Sequence, residues 1–180
     1  MKSNKEIIAQ TKKWISNVVA DCNFCPFVAV ELKRDTIHYE VTDSNDKEEC
    51  LQAFLKECVR LDEDDKIVTS LLIFSTGFDQ FDDYLDLVEL AEALLEENNY
   101  EGVYQVASFH PQYIFGGAPV NDAANYTNRS IYPMLHLLRE EQIEKALEKY
   151  ADPENIPDNN MNFAREKGVQ YMQMLRDTCL

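Results

Sequence analysis

IVTSLLIF, residues 67–74, is the stretch from which the fold is read. It is an almost continuous apolar run, the pattern of a strand covered on both faces. Before it, the Asp43–Asp46 cluster opens a helix with Leu51, Phe54, Leu55 and Cys58 on one face, and the acidic turn Asp62–Asp65 closes that helix. After it, Gly77 marks a turn, and Phe81, Tyr84, Leu85, Val88, Ala91 and Leu95 repeat with the spacing of a helix that ends near Asn98–Asn99. Two further strands flank this core: the alternating TIHYEV of Thr36–Val41, and Val103–Phe109 after Gly102. Upstream, Ser3 and Glu6 form a capping-box signature for a helix over 4–20 that Pro26 cannot continue. Downstream of a long loop, a helix is expected from Pro133 or Met134 to Tyr150, with a break near Glu140. A proline-marked turn over 152–160 and a last helix over 163–177 follow.

Strands separated by helices of this length imply right-handed crossovers and an α/β fold with a small, mainly parallel sheet and flanking helices. The alternative is α+β with a mixed sheet, because Thr36–Val41 alternates like a half-exposed edge. The length, 180 residues, suits a single domain over 1–180.

Composition excludes several function classes. The chain has 17 Lys and Arg against 33 Asp and Glu, a formal net charge of −16, and such a field repels nucleic acid and anionic membranes. It contains no apolar run long enough for a transmembrane helix, and MKSNKEIIAQTKKW has no signal-peptide core. A cytoplasmic protein with no nucleic-acid and no membrane partner is expected. Its five cysteines are an odd count without an export signal, which argues against structural disulfides. Cys50 and Cys58 fall in a helical pattern as small core residues, and Cys179 lies in the terminal tail.

Candidate chemistry collects in Val106–Arg139, where helical and strand periodicity stop and aromatic, amide and imidazole groups gather. A long, aromatic-rich, nearly uncharged connection reads as an ordered, site-forming loop. Its start follows a strand, at the rim where open α/β sheets hold ligands. His110 and His136 flank it, and histidine suits both proton transfer and metal ligation. Each also reads as a hydrogen-bonded structural residue, whereas His38 reads as exposed on a strand. Tyr113, Asn125, Asn128 and Arg129 supply hydroxyl, amide and guanidinium groups. Arg129 reads either as a clamp for a small anion or as a structural salt bridge. Cys22 and Cys25 make a CxxC, but after a helix C-terminus, where the dipole disfavours a thiolate. Cys25 is thus either a packed residue before proline or a functional thiol in a cleft, with Asn23 beside it.

Trp14, Asn23-Phe-Cys25-Pro26-Phe27, Gln105-Val-Ala-Ser-Phe-His110-Pro111, Asn125-Tyr-Thr-Asn-Arg129-Ser130 and Pro133 with Leu135-His136-Leu-Leu-Arg139-Glu140 together resemble the family catalogued as domain of unknown function 1415. The resemblance spans nearly the whole chain. The family pattern does not require a cysteine at Cys22, and Ser130-Ile-Tyr-Pro133 departs by one proline from the serine-proline-tyrosine-proline form. The resemblance implies a shared site and supplies no reaction. The resulting expectation is an enzyme acting on a small anionic metabolite, with Cys25, His110 and His136 reactive and Asn23, Tyr113, Asn125, Asn128 and Arg129 holding the ligand. The alternative is a non-catalytic binding or regulatory domain. Acid/base or thiol chemistry is expected rather than a tightly held structural zinc, which needs four ligands, with an open three-ligand metal site at Cys25, His110 and His136 as the alternative. The cofactor and the oligomeric state stay open.

Overall fold

The capping box written at Ser3 and Glu6 is made: the Glu6 carboxylate accepts from the Ser3 backbone while the Ser3 hydroxyl accepts from the Glu6 N–H. A computed structural model describes residues 2–148 and 150–180 of the chain. Helix α1 (Asn4–Trp14) runs into a wider π-helical segment, Ile15–Ala20, that buries Ile15, Val18 and Val19 together. The chain leaves it through Asn23, which adopts a left-handed φ of 57°. Beyond Pro26 lies an element absent from the sequence reading, the short helix α2 (Val28–Arg34). Its residues lack a clear amphipathic repeat, and packing against the π-helical segment holds it in place.

The remaining elements are β1 (Ile37–Thr42), α3 (Lys47–Glu63), β2 (Thr69–Phe74), α4 (Phe81–Glu97), β3 (Tyr104–Phe109), β4 (Met134–Arg139), α5 (Glu140–Leu147), α6 (Ile156–Lys167) and α7 (Val169–Asp177). Asp46 caps α3 by accepting from the Glu49 N–H at 3.0 Å. All six residues of β2 are buried, as its apolar wording requires. No helix among the described residues is long and apolar enough to cross a membrane.

The fold is α/β, and its sheet is mixed, in the order β1-β2-β4-β3. β1 pairs with β2 in parallel, while β4 runs antiparallel to both β2 and β3. The mixed sheet of the alternative thus replaces the mainly parallel one: β1 is an edge, as Thr36–Val41 suggested, and the reversed strand is β4. Residues 134–139, expected to begin a helix, are that strand. An apolar run as short as MLHLLR carries no periodicity that separates a strand from a buried helix. The vacant position between β2 and β3 decides the matter. Helix starts at Glu140, where a break had been expected.

Alternation divides the sheet between two cores. Leu72, Phe74, Leu135, Leu137 and Tyr104 pack under α3 and α4. Ile37, Leu71, Ile73 and Met134 pack under α1, the π-helical segment, α6 and α7. The last helix of the sequence reading is two helices, broken where Gly168 takes a φ of 81°.

Candidate functional site

The loop 110–133 is ordered, and its polar residues are spent on holding it. The Asn125 Oδ1 accepts from the Phe115 N–H at 3.0 Å, and its Nδ2 donates to the Pro119 carbonyl at 3.0 Å. Asn128 donates to the Ser108 carbonyl at 3.1 Å and accepts from the Thr127 hydroxyl. Arg129 donates to the carbonyls of Tyr113 (3.0 Å) and Val120 (2.7 Å) and lies over the Tyr126 ring, whose centroid is 4.8 Å away. The Arg176 guanidinium lies 5.5 Å from the same centroid. Tyr113 packs between Phe81 and Phe115. Asn23 is exposed and ends the π-helical segment through its N–H to Ala20. The anion clamp expected at Arg129 and Asn125 is therefore a set of backbone anchors.

His110 is fully buried beneath α4, against Phe81 and Tyr84. Its Nε2 contacts the Phe78 carbonyl at 2.7 Å, and its Nδ1 accepts from the Gln112 N–H at 3.0 Å. That pair of partners fixes a neutral ring with the proton on Nε2. Burial holds its pKa below the ordinary value, with the Phe78 carbonyl pulling the other way. No lone pair is left for a metal or for proton transfer.

His136 has a different position because it stands on a central strand. It points to the opposite face of the sheet, with Phe109 beside it at 6.0 Å between ring centroids. The Thr69 hydroxyl donates to the Leu137 carbonyl at 2.7 Å, so it must accept from His136 Nε2, 2.6 Å away. The ring's proton is thereby on Nε2, and Nδ1 keeps a lone pair with no partner among the described residues. By surface area the ring is only half-buried, because a cavity reaches it. Protein nonetheless encloses it, and that burial pulls its pKa down to about 4. Enclosure governs the charge, so the imidazole is neutral at physiological pH.

The cavity has a volume of about 510 Å³ and lies between this sheet face, the α1–α2 turn and α5. Thr69, Leu71, Ala107, Phe109 and Leu138 form its floor, and Trp14 and Ile15 one wall. Helix α5 crosses the other side with Ile143 and Ala146, and the Tyr150 hydroxyl beyond it donates to the Pro26 carbonyl at 3.0 Å. Cys25 also lines it, half-buried. Burial pushes the Cys25 thiol up to about 11, although N–H groups of Phe27 and Val28 favour the thiolate. Trp14 is 1 % exposed, and its indole N–H has no acceptor among the described residues. The charged residues on the lining are Arg34, Arg139 and Lys145 against Glu31. The Arg139 guanidinium turns away to the carbonyls of Leu61 and Ile67, leaving Arg34 and Lys145 at the rim. A wider groove along α3 is shallow and open.

Of the expected reactive residues, the fold thus brings Cys25 and His136 to one cavity and sends His110 to the other side of the sheet. Burial favours the neutral thiol of Cys25 and the neutral imidazole of His136, so both present hydrogen-bonding groups to the cavity. None of residues 110–133 lines this cavity. Trp14, Thr69 and Phe109 were missed as site residues; the signal for Trp14 was its being the single tryptophan, at the end of the first helix.

No curated protein and no solved structure matches the chain. The family model described as protein of unknown function (DUF1415) matches residues 6–174, from the first turn of α1 to the middle of α7. This match takes in the α1–α2 turn, the whole sheet and the helix that closes the cavity, and the chain belongs to the DUF1415 family.

Proposed function

We propose that the protein, a single cytoplasmic domain, binds a small amphipathic organic anion in the cavity on the His136 face of the sheet. The cavity carries this reading. Its volume falls within the range of about 300–1,000 Å³ usual for small-molecule sites. Its walls are mainly apolar. His136 Nδ1 keeps its lone pair on the cavity side, an acceptor that a donor group on a ligand or a water can use. In a chain of net charge −16, Arg34, 3.5 Å from Glu31, and Lys145, paired with Glu141, are exposed cations at the rim that an anionic head group can engage in exchange for those carboxylates.

Trp14, the single tryptophan, serves as the reporter. Titration with 1-anilinonaphthalene-8-sulfonate, an amphipathic anion, should quench Trp14 emission saturably at one site per chain. The uncharged N-phenyl-1-naphthylamine should bind more weakly. Unsaturable quenching, or equal binding of the two probes, refutes the reading.

A second reading, an enzyme using thiol chemistry, is favoured by the Cys25 thiol opening into the same cavity. Under the binding reading, Cys25→Ser retains probe affinity.

A further inference from the structure

On β1, alternation sends Ile37 to the cavity face and turns His38 and Glu40 to the face covered by α3. Above them α3 presents Glu57, and β2 presents Ser70 beside it. Among the described residues, this is the single group of three His, Cys, Asp or Glu side chains whose donor atoms all lie within 4.8 Å of one another. We propose that His38, Glu40 and Glu57 form a binding site for a divalent transition-metal ion of the zinc class, independent of the cavity.

The spacing is that of ligands to a common ion. Nitrogen and oxygen donors sit about 2.0–2.2 Å from zinc, so tetrahedral neighbours are about 3.3–3.6 Å apart. His38 Nε2 is 3.4 Å from Glu40 Oε2 and 3.6 Å from Glu57 Oε2. The contact to Glu40 is a long hydrogen bond, and the one to Glu57 lies beyond hydrogen-bond range. Glu57 is 1 % exposed, and a carboxylate so buried requires a cation. Two carboxylates and a neutral imidazole balance a divalent ion and leave one tetrahedral position for water. The Ser70 hydroxyl donates to Glu57 Oε2 at 2.6 Å and fixes that carboxylate, as outer-shell partners of metal ligands do.

A resident cation already uses this place. Arg60 Nε reaches both Glu57 oxygens at 3.1 and 3.2 Å, and its Nη2 lies 3.4 Å from Glu40. Its side chain is 41 % exposed, so the guanidinium can swing into solvent when a metal enters. Guanidinium and metal are thus alternative counter-ions of one carboxylate pair, and removing the first strengthens the second.

The full-length protein is titrated with Zn²⁺ by calorimetry and with Co²⁺ by visible absorption. One Zn²⁺ should bind per chain, and Co²⁺ should give tetrahedral d–d bands without thiolate charge transfer, which separates this site from the free cysteines. His38→Ala and Glu40→Gln, both at partly exposed positions that tolerate change, should weaken binding more than about 100-fold, beyond the 10–100-fold of an outer-shell loss. Glu57→Gln should do the same, with far-UV circular dichroism confirming its fold. Arg60→Gln should bind about tenfold more tightly, the change expected when about 1.4 kcal/mol of competition is removed. Unchanged affinity in both His38→Ala and Glu40→Gln, thiolate bands in the Co²⁺ spectrum, weaker binding in Arg60→Gln, or no saturable binding by wild type overturns the proposal.

Discussion

His136 offers the sharpest test of the cavity. Its pKa in the folded protein is about 4, set by burial, against about 6.5 for an unstrained histidine in the unfolded chain. Above pH 6.5 the ring is neutral in both states and contributes no pH dependence. As pH falls through 6.5 the unfolded chain takes up a proton that the folded ring refuses, so stability is lost. The loss continues to about pH 4 and then levels off. Each pH unit is worth about 1.36 kcal/mol, so at pH 5.0 the ring destabilises the fold by about 2 kcal/mol relative to pH 7.5. Water entering the cavity and solvating Nδ1 lowers that figure. The perturbation is His136→Gln, whose amide retains a donor for Thr69 and does not titrate. Urea unfolding of wild type and variant at both pH values cancels every other titrating group in the difference. The wild type should lose about 2 kcal/mol more than the variant between pH 7.5 and 5.0. A difference below about 0.5 kcal/mol would show that His136 is solvated in the folded state and refute the enclosed, neutral imidazole.

Two further outcomes follow from the hydrogen bonding. The buried Tyr84 hydroxyl accepts from the Phe109 N–H at 3.0 Å and donates to the Met134 carbonyl at 2.7 Å, clamping the ends of β3 and β4. Tyr84→Phe should cost about 2–6 kcal/mol in urea unfolding, at about 1–3 for each of the two groups left unpaired, and a loss under about 1 kcal/mol would refute the clamp. Arg129→Ala should destabilise the fold by about 1–3 kcal/mol through its two carbonyl contacts while leaving probe binding in the cavity unchanged. A folded variant with weakened probe binding restores Arg129 to the ligand site.

Local signals were legible wherever a residue acts on its own neighbours. The Ser3–Glu6 capping box, the helix start in the Asp43–Asp46 cluster, the apolar run of β2 and the helical repeat of α4 depend on spacing along the chain, and each stands where it was read. Even the loop 110–133 was legible as ordered, because its amides and aromatics exceed what a solvated linker needs. The partners of those groups were not legible. Asn125 and Arg129 are equally able to grip a ligand or a carbonyl, and the choice is made by the backbone that the fold brings within 3 Å. Strand direction is non-local in the same way: MLHLLR became the antiparallel strand β4 because β2 and β3 leave an open ladder position between them. Alternation across the sheet then parted His110 from His136. One turned under α4 with both nitrogens engaged; the other faces a cavity with one nitrogen free. Sequence determined most of the elements and marked the stretches in which polar and aromatic groups gather. Tertiary structure decided which of them meet, because a strand's side chains alternate with a period of two and their neighbours come from chain far away.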